Sequence, residues 1–303
     1  MFDKFIAAFI GAKLGKLAEF EPMSKHTTLR VGGPARLFVQ PADKDALINI
    51  IDLAKSLSIQ FKLLGKGSNL LASDELFNGV IIQLDKTLTY TKIDNNLVHV
   101  GAGTSDVKLS LEVAKMGLTG LEFLSGIPGT IGGAVFMNAG AYKKQMSDVL
   151  TKVQIINSEN ELLWLNVEEL ELGYRSSIFQ KHPDWVIVEA VLRLEPGNTE
   201  DILELMNSRK QKRKESQPLD FPSAGSAFRN PKGHFSWQLI SEAGLRGYCV
   251  GGAKVSEKHA NFVINTGNAT SKNVADIIFH VKSVVKEKSG LELHPEVEFF
   301  NWS

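Results

Sequence analysis

The sequence predicts a fold in which helices and strands form layers, of the α/β or α+β class. Short apolar runs typical of strands alternate with segments of helical periodicity along the first third of the chain. The middle third is richer in strand-like runs, and a long amphipathic helix follows near the C-terminus. At 303 residues, the chain is long enough for two or three domains.

The predicted helices share apolar residues at intervals of three and four. Glycine follows two of them, at Gly117 and Gly290, as it commonly does at a helix C-terminus. The helices are predicted over residues 2–10, 43–58, 106–116, 199–214 and 271–289. The strands are predicted over residues 61–64, 80–84, 97–100, 153–157, 162–165, 186–194 and 297–300. The first helix is interpreted as a docking helix, and not as a secretory signal peptide, because no small-residue cleavage site follows it.

Composition narrows the classes of partner. Lysine and arginine together number 34, and so do aspartate and glutamate, so there is no electrostatic argument for nucleic-acid binding. No apolar run approaches the about 20 residues that span a bilayer. The single cysteine, Cys249, excludes an intrachain disulfide and is expected to be a buried apolar residue. We therefore expect a cytoplasmic protein with no nucleic-acid, membrane or metal partner, and a monomer.

The first glycine-rich segment follows a predicted strand and consists of Gly65, Lys66, Gly67, Ser68 and Asn69. Glycine permits positive φ and lets backbone N–H groups converge on an anion. The segment is not a Walker A loop, because its spacing is wrong for one. On its residues alone, a phosphate cradle and a tight β-turn are both open interpretations.

The second segment, Gly101 to Asp106, also follows a strand and begins a helix. Asp106 stands where a dinucleotide fingerprint would have its third glycine, which excludes a nicotinamide-binding Rossmann site. An acidic residue at a helix start is also ordinary capping chemistry. Gly101 and Gly103 are therefore weak candidates for phosphate binding.

The third segment, residues 120–142, has the highest density of small residues in the chain. Such a backbone suits close approach to a large flat ligand, although a glycine-rich surface loop is the alternative. Interleaved apolar residues argue against full exposure. Together the segments predict a bulky, phosphate-bearing cofactor. The candidates in this third segment are Ser125, Gly126, Gly129, Thr130, Gly132, Gly133, Asn138 and Gly140.

Several long motifs occur in a fixed order, at residues 26–35, 65–69, 120–142, 173–177, 224–231, 251–262 and 295–297. In these motifs the chain resembles the UDP-N-acetylenolpyruvoylglucosamine reductases, over nearly its whole length. The resemblance implies an α+β fold with an FAD-binding domain of the vanillyl-alcohol-oxidase type. That domain would consist of two α+β subdomains, residues 1–80 and 81–209, with residues 294–303 returning to the first. A C-terminal α+β substrate-binding domain would cover residues 210–293.

The resemblance also implies the activity, which is reduction of an enolpyruvyl ether of a nucleotide sugar for peptidoglycan synthesis. FAD would be bound non-covalently, and NADPH would be the reductant. Ser226 would donate a proton, Arg175 would hold the substrate carboxylate, and Glu296 would be a partner of that carboxylate. Tyr174 and Asn230 would contact the substrate. The phosphate-binding lysine is Lys212 or Lys214, and the register between them stays open.

The chain departs from the family pattern at Lys143, where the family usually has glycine after Ala-Gly-Ala-Tyr, so the path of this loop is open. It looks like the shorter subclass, which lacks an extra tyrosine-bearing loop. Without the resemblance, Ser226, Arg175 and Glu296 would be a turn serine, a surface ion-pair partner and an exposed strand-end carboxylate. Two other functions stay open: an alcohol or sugar oxidase on the same scaffold, often with covalently bound FAD, and a non-catalytic nucleotide-sugar-binding protein.

Overall fold

The computed structural model describes residues 1–302. Its α-helices are α1 (Phe2–Gly11), α2 (Lys44–Ser56), α3 (Asp106–Lys115), α4 (Ile131–Phe136), α5 (Thr199–Ser216), α6 (Ser236–Glu242) and α7 (Ser271–Ser289). The strands of the first half are β1 (Gly15–Pro22), β2 (Pro34–Pro41), β3 (Phe61–Leu64), β4 (Leu70–Ala72), β5 (Phe77–Gln83), β6 (Thr91–Asp94), β7 (Leu97–Gly101), β8 (Leu118–Thr119), β9 (Gly140–Ala141) and β10 (Lys144–Gln145). Those of the second half are β11 (Leu150–Ile156), β12 (Leu162–Asn166), β13 (Val186–Arg193), β14 (Glu195–Pro196), β15 (Ser223–Ser226), β16 (Cys249–Val250), β17 (Ala253–Val255), β18 (Phe262–Asn265) and β19 (Glu298–Phe300).

Helix ends follow from capping chemistry. The Asp43 side chain accepts a hydrogen bond of 2.8 Å from the backbone N–H of Ala46 and starts α2. Thr270 and Asn273 form a reciprocal capping box at the start of α7, and Gly290 ends that helix with φ of 72°. The long predicted helices and strands are confirmed, with ends that differ by at most a few residues.

The N-terminal helix docks as expected, since Phe5 and Phe9 on α1 are fully buried in a hydrophobic core. Within residues 1–302, no helix is both long and apolar enough to cross a membrane. The expectation for Cys249 is wrong. Its side chain is exposed on β16, a two-residue strand at the edge of its sheet, and its thiol donates to the carbonyl oxygen of Gly247.

The chain divides into two compact units, and the first comprises Met1–Glu19, Arg36–Gly65 and Asn78–Lys210. Its largest sheet has the strand order β12-β11-β13-β7-β6, and all of its neighbours are antiparallel. A second sheet has the order β1-β2-β5-β3, in which β3 and β5 are parallel. The carboxyl ends of β3 and β7 lead directly into two of the glycine-rich segments.

The second unit comprises Phe20–Ala35, Lys66–Phe77 and the chain from Gln211 onward. It contains an antiparallel sheet in the order β15-β18-β17-β16 and a parallel pair, β4 with β19. The apolar face of α7, with Val274, Ile277 and Ile278, lies in the core of this unit. The sequence predicts three domains, with a boundary at 209/210, and the structure has a unit boundary after Lys210. The three-domain division itself stays a prediction.

Candidate active site

Three glycine-bearing segments of the first unit meet, and we call this assembly the cradle: residues 65, 101–106 and 125–133. Ser105 and Thr130 form an antiparallel bridge, and the N–H of Ile131 donates to the carbonyl oxygen of Thr104 at 3.0 Å. The N–H of Gly132 donates to the carbonyl oxygen of Ala102 at 2.8 Å. Segments far apart in sequence therefore form one backbone surface.

Close packing explains most of the cradle glycines. A methyl group added at Gly65 would lie 2.5 Å from Oγ1 of Thr130, and one at Gly132 would lie 3.0 Å from Cβ of Ala102. One at Gly103 would collide with the carbonyl oxygen of Leu84. These positions accept only glycine without movement of a neighbouring segment.

The same collision test gives different results at Gly101 and Gly133. A methyl group at Gly101 would collide with the carbonyl oxygen of Leu88. One at Gly133 would have Oγ1 of Thr130 as its nearest protein atom, at 3.6 Å, which is ordinary contact. Gly133 is therefore not required by the protein's own packing. Ser125 and Gly126 precede these glycines, and the Ser125 hydroxyl donates to the carbonyl oxygen of Glu122.

The rest of the first predicted loop belongs to the second unit. Gly67 has φ of 59°, and a methyl group there would collide with the carbonyl oxygen of His26. Lys66 and Ser68 are half-buried in the same turn. The Asn69 carboxamide donates to the carbonyl oxygen of Glu296 at 3.0 Å. This loop therefore fixes the backbone of a candidate catalytic residue as well as forming a turn.

Arg175 lies in a tight turn of the first unit. Gly173 and Ser176 exchange backbone hydrogen bonds across the turn, and Arg175 has φ of 57°, which is uncommon for a residue with a side chain. Such outliers occur where the surroundings hold them and cluster at functional sites. Here the Arg175 guanidinium donates through Nη2 to the carbonyl oxygen of Gly140 at 2.7 Å and lies 5.0 Å from the ring centre of Tyr174.

Asn138 holds this turn through its side chain. That side chain is fully buried, its amide donates to the carbonyl oxygen of Gly173 at 2.9 Å, and its oxygen accepts from the N–H of Ser147 at 3.0 Å. The sequence names Asn138 as a cofactor-binding candidate, and that assignment stays a prediction. What the structure adds is a positioning role for Asn138 at the Arg175 turn.

Ser226 and Glu296 lie on adjacent backbone segments of the second unit. The N–H of Glu296 donates to the carbonyl oxygen of Ala227 at 2.8 Å, and Phe228 bridges Pro295 in antiparallel fashion. On its other side, Ser226 pairs with Phe262 of β18. The structure thus brings together two predicted catalytic residues that are separated by 69 intervening positions in the sequence.

The predicted substrate-binding residues differ from one another in their contacts and exposure. Oδ1 of Asn230 accepts from the N–H of Ser236 at 3.0 Å and so anchors the start of α6. Tyr174 is about half exposed. Lys212 and Lys214 are both exposed on α5, so their burial does not distinguish between them.

Glu298 and His259 are two of the titratable groups of the second unit that have shifted pKa values. Burial raises the pKa of Glu298, and the charge of Arg229 partly offsets this rise. Burial, followed by the charge of Arg246, lowers the pKa of His259. A neutral His259 agrees with the geometry, since its Nδ1 accepts from the N–H of Asn261 at 3.3 Å. Within residues 1–302, no group of histidine, cysteine, aspartate and glutamate side chains has the arrangement of a metal site.

Comparison with known proteins identifies the family. Residues 35–166 match the family model of an FAD binding domain, and residues 217–300 match that of the UDP-N-acetylenolpyruvoylglucosamine reductase C-terminal domain. The UDP-N-acetylenolpyruvoylglucosamine reductase of Bacillus subtilis is 43% identical over 296 residues, which cover 98% of each chain. This chain belongs to the UDP-N-acetylenolpyruvoylglucosamine reductase family.

Two further reductases support the membership. That of Caldanaerobacter subterraneus is 46% identical over 286 residues, covering 94% of each chain. The crystal structure of the reductase from Thermus caldophilus superimposes with a TM-score of 0.79 at 35% identity, covering 94% of this chain and 98% of that one. The fold is thus the predicted α+β FAD-binding fold of this reductase family.

The cradle fits the FAD of this family. Most of its glycines let the segments pack closely into one backbone surface, and the one at Gly133 leaves space that no protein atom needs. Residues 101–106 and 125–133 lie inside the stretch that matches the FAD-binding family model. The Gly65 segment and the segments that contact it are the residues that would hold the cofactor.

Two buried polar residues with tertiary contacts near the site were not found from the sequence. Asn261 is buried, and its side chain both accepts from the N–H of Phe228 and donates to the carbonyl oxygen of Phe228. Asp106 was interpreted only as a helix-start residue, yet its side chain is fully buried beside Gly129. Asn261 adjoins the apolar run Phe262 to Ile264, which is a signal in the sequence, whereas the polar surroundings of Asp106 give none, and only tertiary contacts show its burial.

Proposed function

We propose that this chain reduces UDP-N-acetylenolpyruvoylglucosamine to UDP-N-acetylmuramate, with FAD as cofactor and NADPH as reductant. The reaction belongs to the synthesis of peptidoglycan precursors and so to cell-wall biogenesis. The observation that carries the proposal is the adjacency of Ser226 and Glu296 within the stretch that matches the reductase C-terminal domain. A proton donor beside a carboxyl group is what this reduction needs at the carbon that receives the proton.

The alkene of an enol ether is electron-rich, so hydride addition requires a place for negative charge. The carboxylate of the enolpyruvyl group takes up that charge as the bond forms. The Arg175 guanidinium binds this carboxylate through two charge-assisted hydrogen bonds. The turn and the Gly140 contact orient the guanidinium beforehand. A preorganised donor of this kind is typically worth about 3–4 kcal/mol.

FAD, when bound and reduced, would supply a hydride for the terminal carbon of the enolpyruvyl group. The adjacent carbon then carries the negative charge and takes one proton from the Ser226 hydroxyl, which gives the lactyl ether. A serine hydroxyl is a sufficient acid here, because the carbon is strongly basic and proton transfer by a positioned group contributes about 10²–10⁴-fold. Glu296 is the partner of the substrate carboxylate beside Ser226.

The remaining predictions complete the proposal. Tyr174 and Asn230 contact the nucleotide sugar, and either Lys212 or Lys214 contacts its diphosphate. The cofactor lies along the three glycine-rich segments named from the sequence. The domain division at residues 80, 209 and 293, a monomeric state and a cytoplasmic location belong to the same proposal. Neither nucleic acid nor membrane takes part.

The activity is tested by mixing the purified protein with NADPH and then adding the enolpyruvyl nucleotide sugar. We expect NADPH to be oxidised only when the nucleotide sugar is present, and the oxidation to stop when the nucleotide sugar is used up. The absorbance of NADPH measures the reaction. A protein that only binds nucleotide sugars would show no such oxidation. An oxidase would instead consume oxygen with an alcohol or sugar substrate.

The Ser226→Ala variant tests the proton donor. NADPH should still bleach the flavin absorbance, but reoxidation by the enolpyruvyl substrate should slow by about 10²–10⁴-fold, because the proton is missing. Stopped-flow absorbance separates the two half-reactions. Ser223→Ala, on the same strand β15, is the matched control and should reoxidise normally. Normal reoxidation in Ser226→Ala would remove this serine from the mechanism.

A further inference from the structure

Asp106 is a carboxylic residue buried completely at the edge of the cradle. It is the first residue of α3, and its segment runs antiparallel to residues 129–131. Burying a carboxyl group is costly unless its surroundings compensate. The reductase chemistry proposed above gives Asp106 no part, so its burial there needs another reason.

Two contacts join Asp106 to Gly129. The N–H of Asp106 donates to the carbonyl oxygen of Gly129 at 3.2 Å. The carboxyl group also fills the space beside the α-carbon of Gly129, because a methyl group added there would collide with Oδ2 and lie 3.5 Å from Cγ of Asp106. The glycine at 129 and the carboxyl group at 106 therefore fit each other as a pair.

The position of Gly129 matters because the next residue, Thr130, contacts several parts of the cradle. Thr130 bridges Ser105, is in contact distance of Gly65, and accepts through its side chain from the N–H of Gly133 at the start of α4. A shift of the backbone at residue 129 would move Thr130 and so disturb two further segments of the cradle. Asp106 is thus placed to determine the shape of the whole backbone surface.

We infer that Asp106 is a positioning residue for FAD binding, whose carboxyl group holds the Gly129–Thr130 backbone in its binding conformation by filling the space beside Gly129. The inference rests on the proposed contact between the cradle and FAD. It does not depend on the proposed substrate, on Arg175 or on Ser226. A failure of reductase turnover therefore leaves it intact.

The test is a double-mutant cycle on the apoprotein, with Asp106→Ala, Gly129→Ala and both together. FAD affinity is measured by titration of flavin fluorescence, without substrate. Gly129→Ala should weaken FAD binding by about tenfold or more when Asp106 is present, since residues in contact couple strongly. In the Asp106→Ala background, the same change should cost less than about threefold, because the new methyl group enters the vacated space.

Two more variants separate positioning from general destabilisation. Asp106→Asn keeps the shape and should bind FAD within about threefold of the unchanged protein, whereas Asp106→Ala should lose about fivefold or more. Val113→Ala, a buried position farther along α3, should lower the thermal midpoint and leave FAD affinity unchanged.

The outcomes decide the inference in either direction. Any one of three results would overturn it. These are independent effects of the two substitutions, an Asp106→Asn variant that binds FAD as weakly as Asp106→Ala, and an equal loss of FAD affinity in Val113→Ala. If Gly129→Ala does not fold, circular dichroism of the double variant takes the place of the titration. Recovery of folded protein in the double variant supports the inference, and continued misfolding overturns it.

Discussion

At the scale of single residues, the turn Tyr142-Lys143 has a conformation that normally requires glycine. The paired strands β9 and β10 leave these two residues as a two-residue hairpin loop, and their φ angles are 56° and 62°. Positive φ at both central positions defines a type I′ turn, for which Asn-Gly is preferred. The sequence left the path of this loop open because of Lys143. In the structure, the lysine adopts a conformation that glycine would adopt without strain.

Lys143→Gly should therefore stabilise the protein. A residue with a side chain in the left-handed region costs about 1–2 kcal/mol, and the greater freedom of glycine in the unfolded chain returns part of that gain. We expect the free energy of unfolding to rise by about 0.5–1 kcal/mol in a denaturant titration. Lys144→Gly, one residue on and within β10, should be destabilising. Equal effects of the two substitutions would contradict the turn assignment.

Glu298 provides a pH-dependent prediction at the same scale. Burial raises its pKa, so the folded state binds the proton more tightly than the unfolded state does. Its contribution to stability is therefore complete at low pH and is lost as the pH rises through the folded-state pKa. Glu298→Gln should raise the thermal midpoint more at about pH 8 than at about pH 4.

The control for this prediction is a residue whose pKa is shifted in the opposite direction. Glu292 forms an ion pair with Lys282 at 2.9 Å, and Lys282 and Lys286 lower its pKa. Its contribution is present at neutral pH and is lost as the pH falls. Glu292→Gln should therefore lower the midpoint at about pH 8 and have a progressively smaller effect as the pH falls below about 4. Equal pH profiles for the two variants would show that burial of Glu298 does not determine its titration.

At the scale of elements, helix α4 contains two glycines that are present for different reasons. Gly132 is required by the close approach of Ala102, whereas Gly133 has no protein atom that a methyl group would strike. Glycine inside a helix costs about 0.5–1 kcal/mol relative to alanine. An unexplained glycine at Gly133 therefore indicates space kept for a ligand.

Substitution of Gly133 separates protein packing from ligand contact. Gly133→Ala should raise the unfolding free energy of the apoprotein by up to about 1 kcal/mol and still weaken FAD binding by about tenfold. Denaturant titration of the apoprotein and fluorescence titration with FAD measure the two effects. Gly132→Ala should instead lower apoprotein stability. Unchanged FAD affinity in Gly133→Ala would place the cofactor away from this residue.

Elements long enough to show a period were predictable from the sequence. The apolar stripe of α7 and its Gly290 stop predicted the helix that is observed, and β3 is found over the predicted residues. Strands of two residues, such as β8, β14 and β16, are too short for any pattern to repeat. The exposure of Cys249 on β16 was missed for that reason.

At the scale of the whole molecule, the candidate site was predictable as a set of residues and not as an arrangement. The motif order pointed to Ser226 and Glu296, but their adjacency depends on backbone pairing between segments far apart in the chain. The same holds for Asn138, whose hydrogen bond to Gly173 spans 35 positions. No periodicity encodes contacts of this range, and they arise only when the layers pack.

Charge balance is a property of the whole chain and leads to the last prediction. With 34 acidic and 34 basic residues, the formal net charge is zero at neutral pH, and the isoelectric point is about 7.1. Molecules without net charge repel each other least, so solubility at low salt should be lowest near pH 7. Precipitation by polyethylene glycol across a pH series measures this minimum. Lys4→Glu, at an exposed position of α1, changes the charge by two and should move the minimum to lower pH. A minimum that does not move would mean that surface patches, and not net charge, determine self-association.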